Sequence, residues 1–125
     1  MIMRLIYTYF ILNCHAFYTK TRRTGPLENA IFCVTFVFAQ LLISISVLVS
    51  KLLHTSAGTY LMISLLLTFL FHISQKRWVT ASFLSKSRNR FNYIYILSAK
   101  RNIIVMITPS LLFAFVFLIT MIILN

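Results

Sequence analysis

Few side chains in this 125-residue sequence could carry out acid–base or metal chemistry. Glu28 is the single side-chain carboxylate, so general acid–base catalysis would fall to His, Tyr, Lys or Cys. His15, His54 and His72 lie on separate segments, without the H-x-x-x-H spacing of a metal-binding pair. We therefore predict a protein that is not an enzyme and that has no catalytic residue, no metal site and no cofactor. One catalytic alternative stays open, an integral membrane enzyme that acts on lipids through His72 and a nearby Tyr or Lys.

The two cysteines form no C-x-x-C pair and no disulfide framework, so Cys14 and Cys33 are predicted to be free thiols. Glu28 follows Gly25-Pro26, a pair that breaks helices. A carboxylate in the first turn of a helix complements the helix dipole. Glu28 is thus expected to begin a helix and not to act in catalysis.

Six polar residues inside apolar runs are the candidates for contacts between helices. They are Gln40 and Ser44 in one run and Tyr60, Ser64, Thr68 and His72 in the next. Within each run the spacing is four residues, which places the side chains on one helix face. Since a polar side chain in hydrocarbon needs a partner, the two faces are expected to join by hydrogen bonds. In the alternative interpretation these residues line a water-filled pore.

The composition indicates a chain that is embedded in lipid. Hydrophobic residues make up 60% of the sequence and charged residues 10%, whereas soluble domains are about 45–50% apolar and about 25% charged. A water-soluble fold of this length could not bury so much apolar surface. The net charge of +11 would suit nucleic acid, but the basic residues lie between apolar runs. This placement favours contact with anionic lipid and argues against nucleic acid as a partner.

Three uncharged runs are long enough to cross a membrane as helices, at residues 30–50, 57–74 and 103–125. The sequence therefore predicts an all-α integral membrane protein with three transmembrane helices. The connector of residues 51–56 is short, so the first two helices should form a tight antiparallel hairpin over residues 30–74. Pro109 either kinks the third helix or lies in its first turn.

The first 29 residues are predicted to form a unit of their own. Residues 1–18 contain an apolar run at residues 5–12, which is shorter than the roughly 20 residues of a membrane span. Because aromatic residues suit the headgroup region, we expect an aromatic helix that lies in the membrane interface, followed by a basic turn. A signal peptide and a short extra span are the alternatives, although no small-x-small cleavage pattern is present.

The longest polar segment, residues 75–102, carries seven of the twelve Lys and Arg residues. We expect a loop held against the lipid surface, with a hydrated bend near Arg88 and either an amphipathic helix over residues 90–100 or a strand. Together with the basic turn, it supplies the residues predicted to contact anionic lipid or an acidic partner: Lys20, Arg22, Arg23, Lys76, Arg77, Trp78, Lys86, Arg88, Arg90, Lys100 and Arg101.

The positions of the basic residues predict the orientation. If residues 75–102 lie inside, three spans place the N-terminus inside and the C-terminus outside. Eleven of the twelve basic residues are then internal and only Lys51 is external, in agreement with the positive-inside rule. The expected location is a bacterial inner membrane or the inner membrane of an organelle, with the N-terminus and the basic segment on the cytoplasmic or matrix side.

These features favour a non-catalytic subunit or accessory protein of a larger membrane complex, of which an immunity-type protein is one version. Helix packing and the basic segment would hold a larger membrane-protein partner, or further copies of the chain. The alternative is a self-assembling pore or holin-like channel lined by the polar residues named above. An active transporter is disfavoured because no predicted span contains a charged residue.

Overall fold

The computed structural model describes residues 1–21 and 24–125, and within these ranges the protein is helical and has no strand. Six helices follow one another in the described residues: α1 (Ile2–Lys20), α2 (Pro26–Leu52), α3 (Ala57–Trp78), α4 (Ala81–Arg90), α5 (Tyr93–Ile96) and α6 (Ala99–Leu124). In that part of the chain α2, α3 and α6 are long and apolar enough to cross a membrane. The predictions of an all-helical fold and of three helices long and apolar enough to cross a membrane are therefore confirmed, while their placement in a membrane stays a prediction.

Local sequence signals explain where two of the long helices begin. Gly25 adopts a φ of 64°, a conformation that favours glycine, and Pro26 fills the first helical position of α2, where no backbone N–H is needed. Glu28 lies in the first turn of α2, as expected for a residue that begins a helix. The Ser56 hydroxyl accepts a hydrogen bond from the Gly58 N–H and caps α3.

The spanning helices extend beyond the apolar runs on the side of the basic residues. α2 begins at residue 26 and its apolar run at 30, α3 continues to 78 and its apolar run to 74, and α6 begins at 99 and its apolar run at 103. Lys76 and Arg77 suit the last turn of α3, because cations complement the negative end of the helix dipole. Pro109 lies well inside α6, so the interpretation that placed it in a first turn is wrong.

The segment predicted as a loop, residues 75–102, is mostly helical. It contains the end of α3, the whole of α4 and α5, and the start of α6. The expectation of a hydrated bend near Arg88 is wrong because α4 includes this residue, and the strand alternative is wrong because α5 is a helical turn. A continuous helix over residues 90–100 does not form either. Thr80 helps to begin α4, since its hydroxyl accepts a hydrogen bond from the Phe83 N–H.

α2 and α3 pack against each other and run in opposite directions. Thr35, near the start of α2, has its Oγ1 2.8 Å from Nδ1 of His72, near the end of α3. Ser46, in the second half of α2, is hydrogen-bonded to Ser64, in the first half of α3. Residues 53–56 connect the two helices.

α2 and α6 pack against each other and run in the same direction. The side-chain amide of Gln40 donates to the Ser110 carbonyl over 3.2 Å. Lys51, near the end of α2, is hydrogen-bonded to Asn125, at the end of α6. α2 therefore contacts both other long helices, and it runs antiparallel to α3 and parallel to α6.

The buried core lies at one end of the long helices, around α1. Six residues of α1 are buried, and this helix packs against α2 and α6 and also touches α4 and α5. Its largest buried apolar side chains, Ile11 and Leu12, belong to one core cluster with Ile94 of α5. We refer to this end, with Lys20 and residues 75–102, as the basic end. An aromatic helix was expected here and is present, packed between its neighbours; its depth in a membrane stays a prediction.

Candidate functional site

A chain of neutral polar side chains joins α1, α2 and α3 at the basic end. The Tyr7 hydroxyl donates to Gln75 Oε1 over 2.8 Å, and Gln75 Nε2 donates to Thr35 Oγ1 over 2.9 Å. Thr35 Oγ1 in turn lies 2.8 Å from His72 Nδ1. Gln75 is only 3% exposed. Because each of the three helices contributes a member, this chain of hydrogen bonds fixes how the helices meet.

These hydrogen-bonded side chains suit helix packing better than proton transfer. Burial raises the pKa of Tyr7 above its ordinary value, so the phenol stays protonated and acts as a donor. The side chains of Gln75 and Thr35 do not change protonation state at physiological pH. The hydrogen-bond neighbour of His72 is the Thr35 hydroxyl, which is neutral as well.

A second polar cluster holds α1 against α5 and α6. Asn13 and Asn102 are both 0% exposed, and Asn102 Nδ2 donates to Asn13 Oδ1 over 3.0 Å. Lys20 Nζ donates to Asn102 Oδ1 (2.7 Å) and to the Ile94 carbonyl (3.3 Å), and it is also hydrogen-bonded to the Leu97 carbonyl. Three acceptors match the three donors of an ammonium group. Lys20, which the sequence assigns to lipid contact, is therefore directed into the protein.

His15, Tyr95 and Arg88 form a third cluster. The Tyr95 hydroxyl lies 2.8 Å from His15 Nδ1, and the guanidinium carbon of Arg88 lies 4.4 Å from the centre of the Tyr95 ring, a cation–π contact. Burial, assisted by the nearby charge of Arg88, lowers the pKa of His15. The tautomer of the neutral imidazole decides whether Nδ1 accepts the hydrogen bond from the Tyr95 hydroxyl or donates one to it.

Two members of the predicted polar face of α3, Ser64 and His72, form hydrogen bonds to α2. Their partners are Ser46 and Thr35. Tyr60 contributes its backbone carbonyl, which accepts from Ser46 Oγ over 3.2 Å. The partners predicted on α2 were Gln40 and Ser44, because the rotation of α2 about its own axis does not follow from the sequence.

The other residues predicted to make helix contacts bond elsewhere. Gln40 donates to α6, while its Oε1 atom is buried and has no hydrogen-bond partner among the described residues. Ser44 donates to the Gln40 carbonyl over 2.8 Å, and Thr68 donates to the Ser64 carbonyl over 2.8 Å, each one turn earlier in its own helix. These two hydroxyls are thus satisfied within α2 and within α3.

Most residues predicted to contact anionic lipid are exposed at the basic end: Lys76, Arg77, Trp78, Lys86, Arg88, Arg90, Lys100 and Arg101. Arg90 also lies 5.7 Å from the centre of the Phe91 ring. Arg22 and Arg23 fall outside the described residues. Because Glu28 is the only side-chain carboxylate in the sequence, this end has a strong positive field.

Two adjoining cavities lie beside α1 at the basic end. The larger, of about 850 Å³, is lined mainly by apolar and aromatic side chains from α1, α2, α3, α4 and α6. The smaller, of about 400 Å³, lies between α1 and α4. Arg4, Thr8 and Phe83 line both cavities, so the two spaces are neighbours. Arg90 lines the smaller one and adds a second positive charge there.

Reactive and metal-binding groups are sparse in the structure. In residues 1–21 and 24–125 no group of three or more His, Cys, Asp or Glu side chains is placed to hold a metal ion. Cys14 and Cys33 are free thiols that lie close to each other. The neighbouring Cys33 side chain, together with burial, raises the pKa of Cys14 and makes its thiol a poor nucleophile.

Sequence reasoning does not identify Asn13, Gln75 and Asn102, which are the centres of the buried polar clusters. It places Asn13 at an interruption of an apolar run, and Gln75 and Asn102 at the two ends of a loop. Each is an amide at the edge of an apolar stretch. That position is a signal for a buried hydrogen bond, but it names no partner.

Comparison with protein families, with curated proteins and with solved structures finds no match to this chain.

Proposed function

We propose that this protein is a non-catalytic subunit or accessory protein of a larger membrane complex, with an immunity-type protein as one version. One observation carries the proposal. In the most apolar 18-residue stretch of α2, α3 and α6, only 17%, 6% and 6% of the residues are buried within the protein. Large rings such as Phe69 of α3 and Phe115 of α6 are 61% and 63% exposed. This apolar surface can accept the helices of a larger membrane protein.

The polar contacts support helix packing over a water-filled pore. Ser64 is 4% exposed and bonded to Ser46, and His72 is bonded to Thr35. These side chains would have to leave α2 in order to line a channel. Membrane helices associate through close packing and interhelical hydrogen bonds. Since several polar groups of the spans are engaged within one copy, the largely apolar outer faces are available for packing against a partner.

We further propose that α2 and α3 cross the membrane as an antiparallel hairpin and that α6 crosses as the third span. α1 and residues 75–102 would then lie at headgroup depth on the cytoplasmic or matrix side of a bacterial or organellar inner membrane. The cations exposed at the basic end support this orientation through the positive-inside rule. Lys51 would lie on the opposite side, together with the C-terminus.

The test is affinity purification of the tagged full-length chain from its native membrane in mild detergent, followed by native mass spectrometry. We expect a defined complex with a larger membrane protein. Phe69→Ala and Phe115→Ala remove exposed rings of equal size from α3 and α6. The substitution that lies on the contact face should reduce recovery of the partner about tenfold, as expected when a well-packed aromatic contact is lost. The substitution on the other helix serves as its control.

A monomer that is recovered with no companion would contradict the proposal. A homo-oligomer that passes ions in liposomes, with a flux that Gln40→Leu alters, would support the pore in its place.

A further inference from the structure

The larger cavity at the basic end has the size and the walls of a site for hydrocarbon. Its volume of about 850 Å³ lies within the range of about 300–1,000 Å³ found for ligand sites. Aromatic side chains line it from five helices, and they include Phe10 of α1, Phe38 of α2, Phe71 of α3, Phe83 of α4 and Phe113 of α6. An occupant of this space must itself be apolar, because a polar group placed there would lose its hydration without gaining partners.

The hydroxyl groups in the wall of this cavity already have partners. Tyr7 donates to Gln75, and Thr8 Oγ1 donates to the Arg4 carbonyl over 2.7 Å. Neither group therefore calls for a polar ligand deep inside. Among the described residues that line the larger cavity, Arg4 alone carries a charge.

The smaller cavity places more positive charge beside this apolar space. Arg4 lines both cavities, and Arg90 and Ser87 line the smaller one. Glu28, the only side-chain carboxylate in the sequence, lies elsewhere, in the first turn of α2 next to Gly25. The counter-charge for the two arginines must therefore come from outside the chain. Arginine binds phosphate through paired N–H···O bonds, and a serine hydroxyl can donate a further one.

We propose that the two cavities form one binding site for an anionic glycerophospholipid. One acyl chain fills the larger cavity, and the phosphate lies between Arg4 and Arg90. The second chain stays in the surrounding bilayer, because the larger cavity is partly open to its surroundings. A zwitterionic headgroup would bring its own cation against the arginines, so the site selects for net negative charge. This inference goes beyond the proposed function and holds whether or not the protein has a partner.

Trp78 makes the site measurable, because it is the only tryptophan in the sequence and it lines the larger cavity. The full-length protein is reconstituted in phosphatidylcholine vesicles with a small fraction of lipid whose chains are brominated and quench nearby tryptophan fluorescence. Brominated phosphatidylglycerol should reach half-maximal quenching at a mole fraction about tenfold lower than brominated phosphatidylcholine, the factor expected for one or two charge-assisted contacts. Equal quenching by the two lipids would overturn the proposal.

Two double substitutions separate a site from general surface charge. Arg4→Gln/Arg90→Gln should reduce the preference for phosphatidylglycerol to less than about twofold, since both phosphate contacts are lost. Lys100→Gln/Arg101→Gln removes the same number of charges from exposed positions outside both cavities and should keep the preference. If both variants lose the preference equally, the lipid is attracted only by net charge and the proposed site is wrong.

Val37→Phe tests the apolar half of the site. The added ring occupies part of the larger cavity without changing any charge, so the preference should fall although both arginines remain. Helix content and unfolding temperature are compared for every variant. If Val37→Phe does not fold, Ile6→Phe provides the same test at a cavity position that is 57% exposed. A folded variant that keeps the full preference would show that the acyl chain does not occupy this space, which would contradict the proposal.

Discussion

The buried amide pair Asn13–Asn102 gives a direct test of how α1 is held in the protein. In Asn102→Leu, Asn13 Oδ1 loses its donor at 3.0 Å and Lys20 loses an acceptor at 2.7 Å. A buried polar group without a partner costs about 1–3 kcal/mol, and a hydrogen bond to a charged group contributes about 1.5–3 kcal/mol. Because Lys20 keeps the Ile94 carbonyl as an acceptor, we expect the free energy of unfolding to fall by about 3 kcal/mol.

Asn13→Leu should cost less, about 2 kcal/mol, because Asn102 keeps Lys20 and the Ile94 carbonyl as partners. In Asn13→Leu/Asn102→Leu both amides are absent, and the two leucines can pack against each other. The loss should then be about 4 kcal/mol, which is about 1 kcal/mol less than the sum of the single losses.

Reversible unfolding by sodium dodecyl sulfate in mixed micelles, followed by helix content and by Trp78 fluorescence, measures these free energies. Asn102→Leu combined with Ser46→Ala is the control, because Ser46 belongs to a separate contact between α2 and α3. The losses in free energy of unfolding caused by these two substitutions should be additive to within about 0.3–0.5 kcal/mol. If Asn13→Leu and Asn102→Leu are additive to the same degree, the two amides are not coupled and the reasoning about α1 is refuted.

Three further predictions concern pH, the α2–α3 contact and the start of α2. Because burial lowers the pKa of His15, the unfolded state binds more protons than the folded state below about pH 6.5. Stability should therefore fall on acidification in that window, and unfolding measured at several pH values should show a smaller loss for His15→Gln. Ser46→Ala and Ser64→Ala should each lower the free energy of unfolding by about 0.5–1 kcal/mol, whereas Ser44→Ala, which removes a bond within its own helix, should change it by less than about 0.3 kcal/mol. Gly25→Ala should cost about 1 kcal/mol because its φ of 64° is strained for a residue with a Cβ, and an unchanged unfolding temperature would contradict this placement.

The spanning helices could be predicted because transfer of a long uncharged stretch into hydrocarbon dominates every local effect. The start of α2 could be predicted as well, since Gly25, Pro26 and Glu28 each contribute a separate local signal. The other ends were harder to predict. α3 continues through Lys76 and Arg77, because a helix can extend beyond an apolar layer while its backbone groups stay hydrogen-bonded within the helix. Hydropathy detects only the part of the helix that suits the apolar layer.

The buried polar clusters could not be predicted because their partners are far apart in the sequence. Asn13 interrupts an apolar run, which argues against predicting a buried helix there. In the structure Asn102, on another helix, donates a hydrogen bond to the Asn13 side chain. The α2–α3 contact depends on the rotation of α2, which decides that Ser46 and not Ser44 meets α3. A polar residue in an apolar run thus predicts that a partner exists, while only the packed structure identifies it.

The basic end shows how a chain with a net charge of +11 can fold with one acidic side chain. Lys20 is held by neutral oxygen atoms, and Arg88 lies over the ring of Tyr95. Such contacts stabilise each cation locally, but they add no negative charge, so the positive field of this end remains. In the orientation proposed above, the nearest anions would be lipid phosphates, which would compensate the charge of the exposed cations. The stability of the folded protein should therefore rise with the anionic lipid content of the membrane. Added salt should weaken the exposed contacts first, because charges in water are screened over about 8 Å at physiological ionic strength.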